Sequence, residues 1–105
     1  MRKYMLVITA SNFFEGSKDL EKSFKEHFKG INRTVEIDDV EESEQHVSGV
    51  IKEEIQLTKG THLKSFMRNY IKRHSFFGEC FGVYTLKEYA KKSGRKEVLT
   101  EMDLK

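Results

Sequence analysis

A chain of 105 residues can close one hydrophobic core and is too short for a second, so a single domain over 1–105 is expected. Apolar residues make up 37% and charged residues 34%, with eight Phe and four Tyr, which excludes a disordered segment because such chains are poor in aromatics. Lys and Arg number 19 against 17 Asp and Glu, so a net charge of +2 does not by itself predict a polyanionic partner, and one cysteine excludes an internal disulfide or a multi-cysteine zinc cage.

That cysteine, Cys80, sits among apolar residues and is expected to be inert. Tyr4 to Ala10 is too short for a secretory core, and no apolar run approaches bilayer length, so no membrane partner and an intracellular location within a host cell are expected. Proline is absent and no segment is low in complexity, so no linker is visible. The start at Met1 and the stop after a charged tail also suit the first domain of something longer.

In chain order, Tyr4 to Thr9 is a continuous apolar run with β-branched residues, the pattern of a buried central strand. Ser17 is a good helix N-cap, Leu20, Phe24, His27 and Phe28 recur at helical spacing, and Gly30 supplies a stop. Arg33 to Asp38 alternates, with Val35 and Ile37 on one face, and reads as a strand. Six acids among the nine residues from Glu36 to Glu44 make the following stretch a loop or an exposed strand end.

The segment from His46 to Thr58 fits either a helix carrying Gly49 at a cost of about 1 kcal/mol or a β-branched strand. Leu63, Phe66, Met67, Tyr70 and Ile71 make a helical stripe, whereas a strand there would align His62, Lys64, Phe66 and Arg68; periodicity favours the helix. Phe76 to Tyr84 is aromatic-rich with two glycines and reads as a strand, with room for a bulge. Thr85 opens a capping box with Glu88, starting a helix through Leu86, Tyr89 and Ala90 that closes at Gly94. Residues 95–105 are a polar tail with a weak strand pattern at Val98, Met102 and Leu104. A helix-turn-helix over 85–104 ranks low, because Ser93, Arg95 and Glu97 fall where apolar residues belong. The fold expected from this order is α+β, a central antiparallel sheet with helices packed on it, ferredoxin-like or a relative.

Charge is segregated along the chain. From Lys59 to His74 there are five cations, two histidines and no acid, and Lys91-Lys92 and Arg95-Lys96 follow. These are either solvated faces or a nucleic-acid track with Phe66, Tyr70, Phe76 and Phe77 interleaved for stacking. On a strand His62 and Lys64 would share a face, and a neighbouring strand could bring Glu53 or Glu54 beside them, a donor set suited to Mn²⁺ or Mg²⁺. Tyr89 and Lys92, three apart on a helix, would let an ammonium stabilise charge at a phenolate or phosphate.

Three segments resemble the motifs of HUH endonucleases, in particular the nuclease domains of replication initiators (Rep) from small circular single-stranded DNA viruses and related plasmids. Leu6-Val7-Ile8-Thr9-Ala10-Ser11-Asn12 resembles the first. Val50 to Glu54 with Gly60-Thr61-His62-Leu63-Lys64-Ser65-Phe66 resembles the acidic strand and the second, and Leu86 to Gly94 with Tyr89 and Lys92 resembles the third. The resemblance runs over residues 4 to 95. It departs at Lys64, where the family has a second His or Gln; a protonated lysine cannot ligate a metal.

The resemblance implies metal-dependent nicking and joining of single-stranded DNA at a rolling-circle replication origin, through a covalent 5′-phosphotyrosine intermediate. It implies Tyr89 as nucleophile, Lys92 as electrostatic helper, and His62 with Glu53 or Glu54 holding a divalent Mn or Mg. DNA contacts are expected from Thr9 and Asn12 and from Lys64, Arg68, Lys72 and Arg73, with assembly into a homo-oligomer left open. The alternative is a non-catalytic viral or bacterial module that binds nucleic acid by its basic-aromatic surface or a protein by its acidic loop. The two readings part at 61–71, where a strand facing Tyr89 suits the enzyme and a full helix suits the binding module.

Overall fold

The centre of the sheet is the segment richest in β-branched and large apolar residues: β1, Arg2–Phe13, alternates Leu6, Ile8 and Ala10 into the core with Met5, Val7 and Thr9 on the opposite face. In the computed structural model, which describes residues 1–74 and 80–104, β1 pairs antiparallel with β3 (His46–Leu57) on one side and β4 (Cys80–Thr85) on the other. β2 (Arg33–Glu41) forms one edge against β3 and the short β5 (Leu99–Thr100) the other, giving the order β2-β3-β1-β4-β5. Two β-α-β units, β1-α1-β2 and β3-α2-β4, produce this all-antiparallel α+β arrangement.

Helices α1 (Leu20–His27) and α2 (Leu63–Arg73) put Leu20, Phe24, Met67 and Tyr70 into one core with Leu6, Ile8, Val47, Ile51 and Val83, so both cover the same face of the sheet. Arg33 ties these layers together. Its guanidinium donates to Glu53 at 2.7 Å, to the Tyr70 hydroxyl at 2.9 Å and to the Phe28 carbonyl at 3.4 Å, linking β2, β3, the end of α1 and α2. Gly49 marks the closest packing: a Cβ there would lie 2.4 Å from the Glu36 carbonyl oxygen and 2.9 Å from the Phe24 ring.

Several local expectations change. The N-cap of α1 is Asp19, whose carboxylate accepts from the Lys22 amide at 3.1 Å, while Ser17 hydrogen-bonds Ser23; Gly30 lies beyond the cap at Phe28 and is not left-handed. The 46–58 segment is a strand, and 63–73 is a full helix. The helix after Thr85, α3 (Leu86–Tyr89), lasts one turn, and Gly94 with φ +68° sits in the loop beyond it, which leaves no helix-turn-helix. Cys80 is exposed rather than enclosed. The β4 strand starts at Cys80; Phe76, Phe77 and Gly78 lie outside the described residues. Among the described residues no helix is long and apolar enough to cross a membrane.

Candidate nucleic-acid interface

With both long helices on one face, the other face of the sheet is left for solvent. Strand register lays its residues out in rows: Glu54, Met5 and Tyr84 in one, Thr34, Lys52, Val7, Gly82 and Thr100 in the next, then Glu36, Val50, Thr9 and Cys80. Met5, Val7, Val50 and Tyr84 are half-buried and make an apolar shelf across β1, β3 and β4.

The chain after β4 folds back over this shelf. Thr85 Oγ1 accepts from the Glu88 amide, one arm of the expected capping box. The Glu88 carboxylate does not return to the cap but takes the Lys91 ammonium at 2.8 Å and the Lys96 amide at 3.4 Å, and Lys91 holds the Glu88 carboxyl below its ordinary range. Arg95 Nε donates to the Lys91 carbonyl at 2.6 Å. This knot sets the Tyr89 ring 6.0 Å from Tyr84, with the Arg95 guanidinium 4.6 Å from its centroid and the Lys52 ammonium at 5.9 Å, within cation–π range.

Local electrostatics favour the neutral Tyr84 phenol and the charged Lys52 ammonium. Burial, followed by Glu97, which accepts the Tyr84 hydroxyl at 3.2 Å, pushes the Tyr84 phenol up. Hydrogen bonds first to Glu36 and then to Tyr89 push the Lys52 ammonium up. Between Leu86 and Lys96 five cations stand against the single acid Glu88. A depression of about 450 Å³ touching Lys52, Glu54 and Tyr89 lies to one side of the tyrosine pair, and one of about 370 Å³ floored by Val7 and Gly82 to the other.

The expected metal ligands do not converge. Glu53 points to the helix face and is engaged by Arg33, with its side chain only 13% exposed. Glu54, the next residue on the strand, points to the opposite face and pairs loosely with Lys3 at 3.9 Å. His62 is the exposed N-cap position of α2, beside Arg2, Leu57 and Lys59 beyond the end of β3. Among the described residues no three His, Cys, Asp or Glu side chains come together as a ligand group. The donors that a Mn or Mg ion would need are therefore dispersed, and they do not fit such an ion as one site.

Tyr89 ends α3, so Lys92 lies beyond the helix on which the i,i+3 pairing is expected; among the described residues Arg95 and Lys52 lie over the ring. Thr9 is exposed on the open face, but Asn12 follows the parity of Ala10 and belongs to the helix side. Lys64, Arg68, Lys72 and Arg73 are exposed on α2, behind the sheet. Tyr70 is buried and Phe66 packs against the core, so neither is presented for stacking. Tyr84 and Lys52 carry no binding expectation from the sequence, and Arg95 enters there only within a basic cluster, although the alternation of Phe81 and Val83 with Tyr84 places that ring opposite the core. Compared with known proteins, the chain matches no family model, no curated sequence and no solved structure.

Proposed function

We propose that this domain is a non-catalytic module that binds single-stranded nucleic acid, DNA first among the candidates, across the open face of its sheet. Bases stack on Tyr84 and Tyr89, and phosphates meet Lys52 and the basic segment 87–96. The observation that carries the reading is the pairing of Tyr84, on the sheet face that the two long helices leave free, with Tyr89 in an overhanging segment of five cations and one acid. Aromatic faces accept any base, and cations beside them hold the backbone, a combination that binds single strands with little sequence preference. Helix at 63–73 supports a binding role over a cutting one, because it commits Phe66 and Tyr70 to the core and leaves His62 apart from both glutamates.

The nicking reading keeps one supporting observation: Tyr89 and Glu54 border the same depression. One experiment separates the two. A labelled oligodeoxythymidylate is titrated by fluorescence anisotropy, and the same mixture with Mn²⁺ is examined by intact mass. Binding is expected to weaken roughly tenfold for Tyr84→Ala and again for Tyr89→Ala, in line with about 1–3 kcal/mol per stacked base, with no covalent adduct. An adduct that disappears in Tyr89→Phe would replace the binding module with the transesterase.

A further inference from the structure

We infer that α2 is a second nucleic-acid surface, so that the domain holds two strands at once, one on each side of its sheet. The inference rests on the reading of the open face for the first strand and on α2 alone for the second. Lys64, Arg68 and Lys72 stand at i, i+4 and i+8, one stripe with about 6 Å between successive cations, and Arg73 flanks it. All four are exposed, and none makes an ion pair among the described residues.

Folding does not ask for this stripe. Like charges at i,i+4 destabilise a helix, and Lys64 puts a cation in the first turn, against the helix dipole. That turn has no acidic residue, and the N-cap His62 makes no side-chain capping bond. The first turn and the like-charge stripe therefore oppose the helix, while Lys72 and Arg73 in the last turn suit its dipole and Met67 and Tyr70 anchor it in the core. A solvated face would tolerate glutamate at any of these positions; an unneutralised row is what a phosphate backbone requires. Because α2's own aromatics face inward, the stripe meets phosphates rather than bases. It also lies on the far side of the sheet from Tyr84 and Tyr89, in a domain whose shortest extent is 26 Å, so a short strand on one surface leaves the other free.

The test uses two oligodeoxythymidylates of about ten nucleotides, within the range one small domain covers, one carrying a donor and one an acceptor dye. They cannot pair with each other. Energy transfer is expected to rise as protein is added and to fall once protein exceeds strands, the signature of a bivalent bridge. In Lys64→Gln/Arg68→Gln/Lys72→Gln, transfer falls to the protein-free level while anisotropy of a single labelled strand stays within about twofold of the parent. Glutamine is a good helix former at exposed positions, and circular dichroism confirms the fold.

Energy transfer retained in that variant overturns the inference, because the bridge would then run through paired protein molecules. Strand binding without transfer in the parent protein overturns it as well. The reading of the open face fails separately, if Tyr84→Ala/Tyr89→Ala binds single strands as the parent does.

Discussion

Arg33 shows how much of this fold hangs on one side chain. It is 7% exposed and reaches β3, α1 and α2 at once. Burial lowers the guanidinium's affinity for its proton, but Tyr70 and Glu53 outweigh that and leave it above its ordinary value. Removing one partner of such a pair leaves the other charge buried and uncompensated. Arg33→Leu is therefore expected to cost about 3 kcal/mol or more, and Arg33→Leu/Glu53→Leu less than the single change, measured by urea unfolding. Equal or additive losses would mean that water already satisfies Glu53. The His74 ring packs against Tyr70 at 4.6 Å, tilted by 46°, and its imidazole is pushed below its ordinary range, first by burial and then by the Arg33 cation. Below about pH 6.5 the unfolded chain takes up a proton that the folded chain resists. Stability is therefore full above that pH and falls as pH drops through it towards the folded value. The melting temperature is expected to decline from pH 7 to 5, and His74→Gln to flatten that decline.

At the scale of elements, the sequence predicts most where one period dominates and least where two compete. β1 is legible because its apolar run is long and its ends are polar. α1 is legible because Leu20, Phe24 and Phe28 recur at four. The 46–58 segment is not, since Val47, Ile51 and Ile55 satisfy both periods. Twelve residues of pairing along β1, with room at Gly49 for Phe24, decide for the strand, and those are long-range facts. α3 stops early because Lys91, Lys92 and Ser93 offer nothing to bury, so the Glu88 knot forms instead of a second turn. The site follows the same division. Tyr89 is singled out by its sequence neighbours, and the knot within 88–96 brings Arg95 to it, but the approach of Lys52 from β3 depends on strand register that no local pattern encodes. α2 gives a direct test of the cost of its uncapped start. His62→Asp supplies a capping acceptor and a favourable charge at the dipole, and is expected to raise stability by about 1 kcal/mol. Thermal melts should show it, with open-face strand affinity unchanged, since His62 lies away from Tyr84 and Tyr89.

For the whole molecule, a net charge of +2 hides a strong separation. The acids of 36–44 occupy the exposed β2–β3 hairpin, and the cations occupy α2 and the overhang 87–96. Opposite poles in one small body orient it in the field of a polyanion, so that the basic surfaces approach first. Salt then becomes the instrument that tells phosphate contacts from stacking. For single strands the logarithm of affinity falls with the logarithm of salt by about 0.7 per phosphate neutralised. Lys87→Gln/Lys92→Gln, at two exposed cations outside the Glu88–Lys91 pair, should therefore make that slope shallower, by up to about 1.4 if each meets one phosphate. Tyr84→Ala should lower affinity at every salt concentration and leave the slope as it was, because a stacked base releases no counterion. If the tyrosine change alters the slope and the lysine changes do not, the rings merely position the basic overhang, and the stacking account of the open face fails.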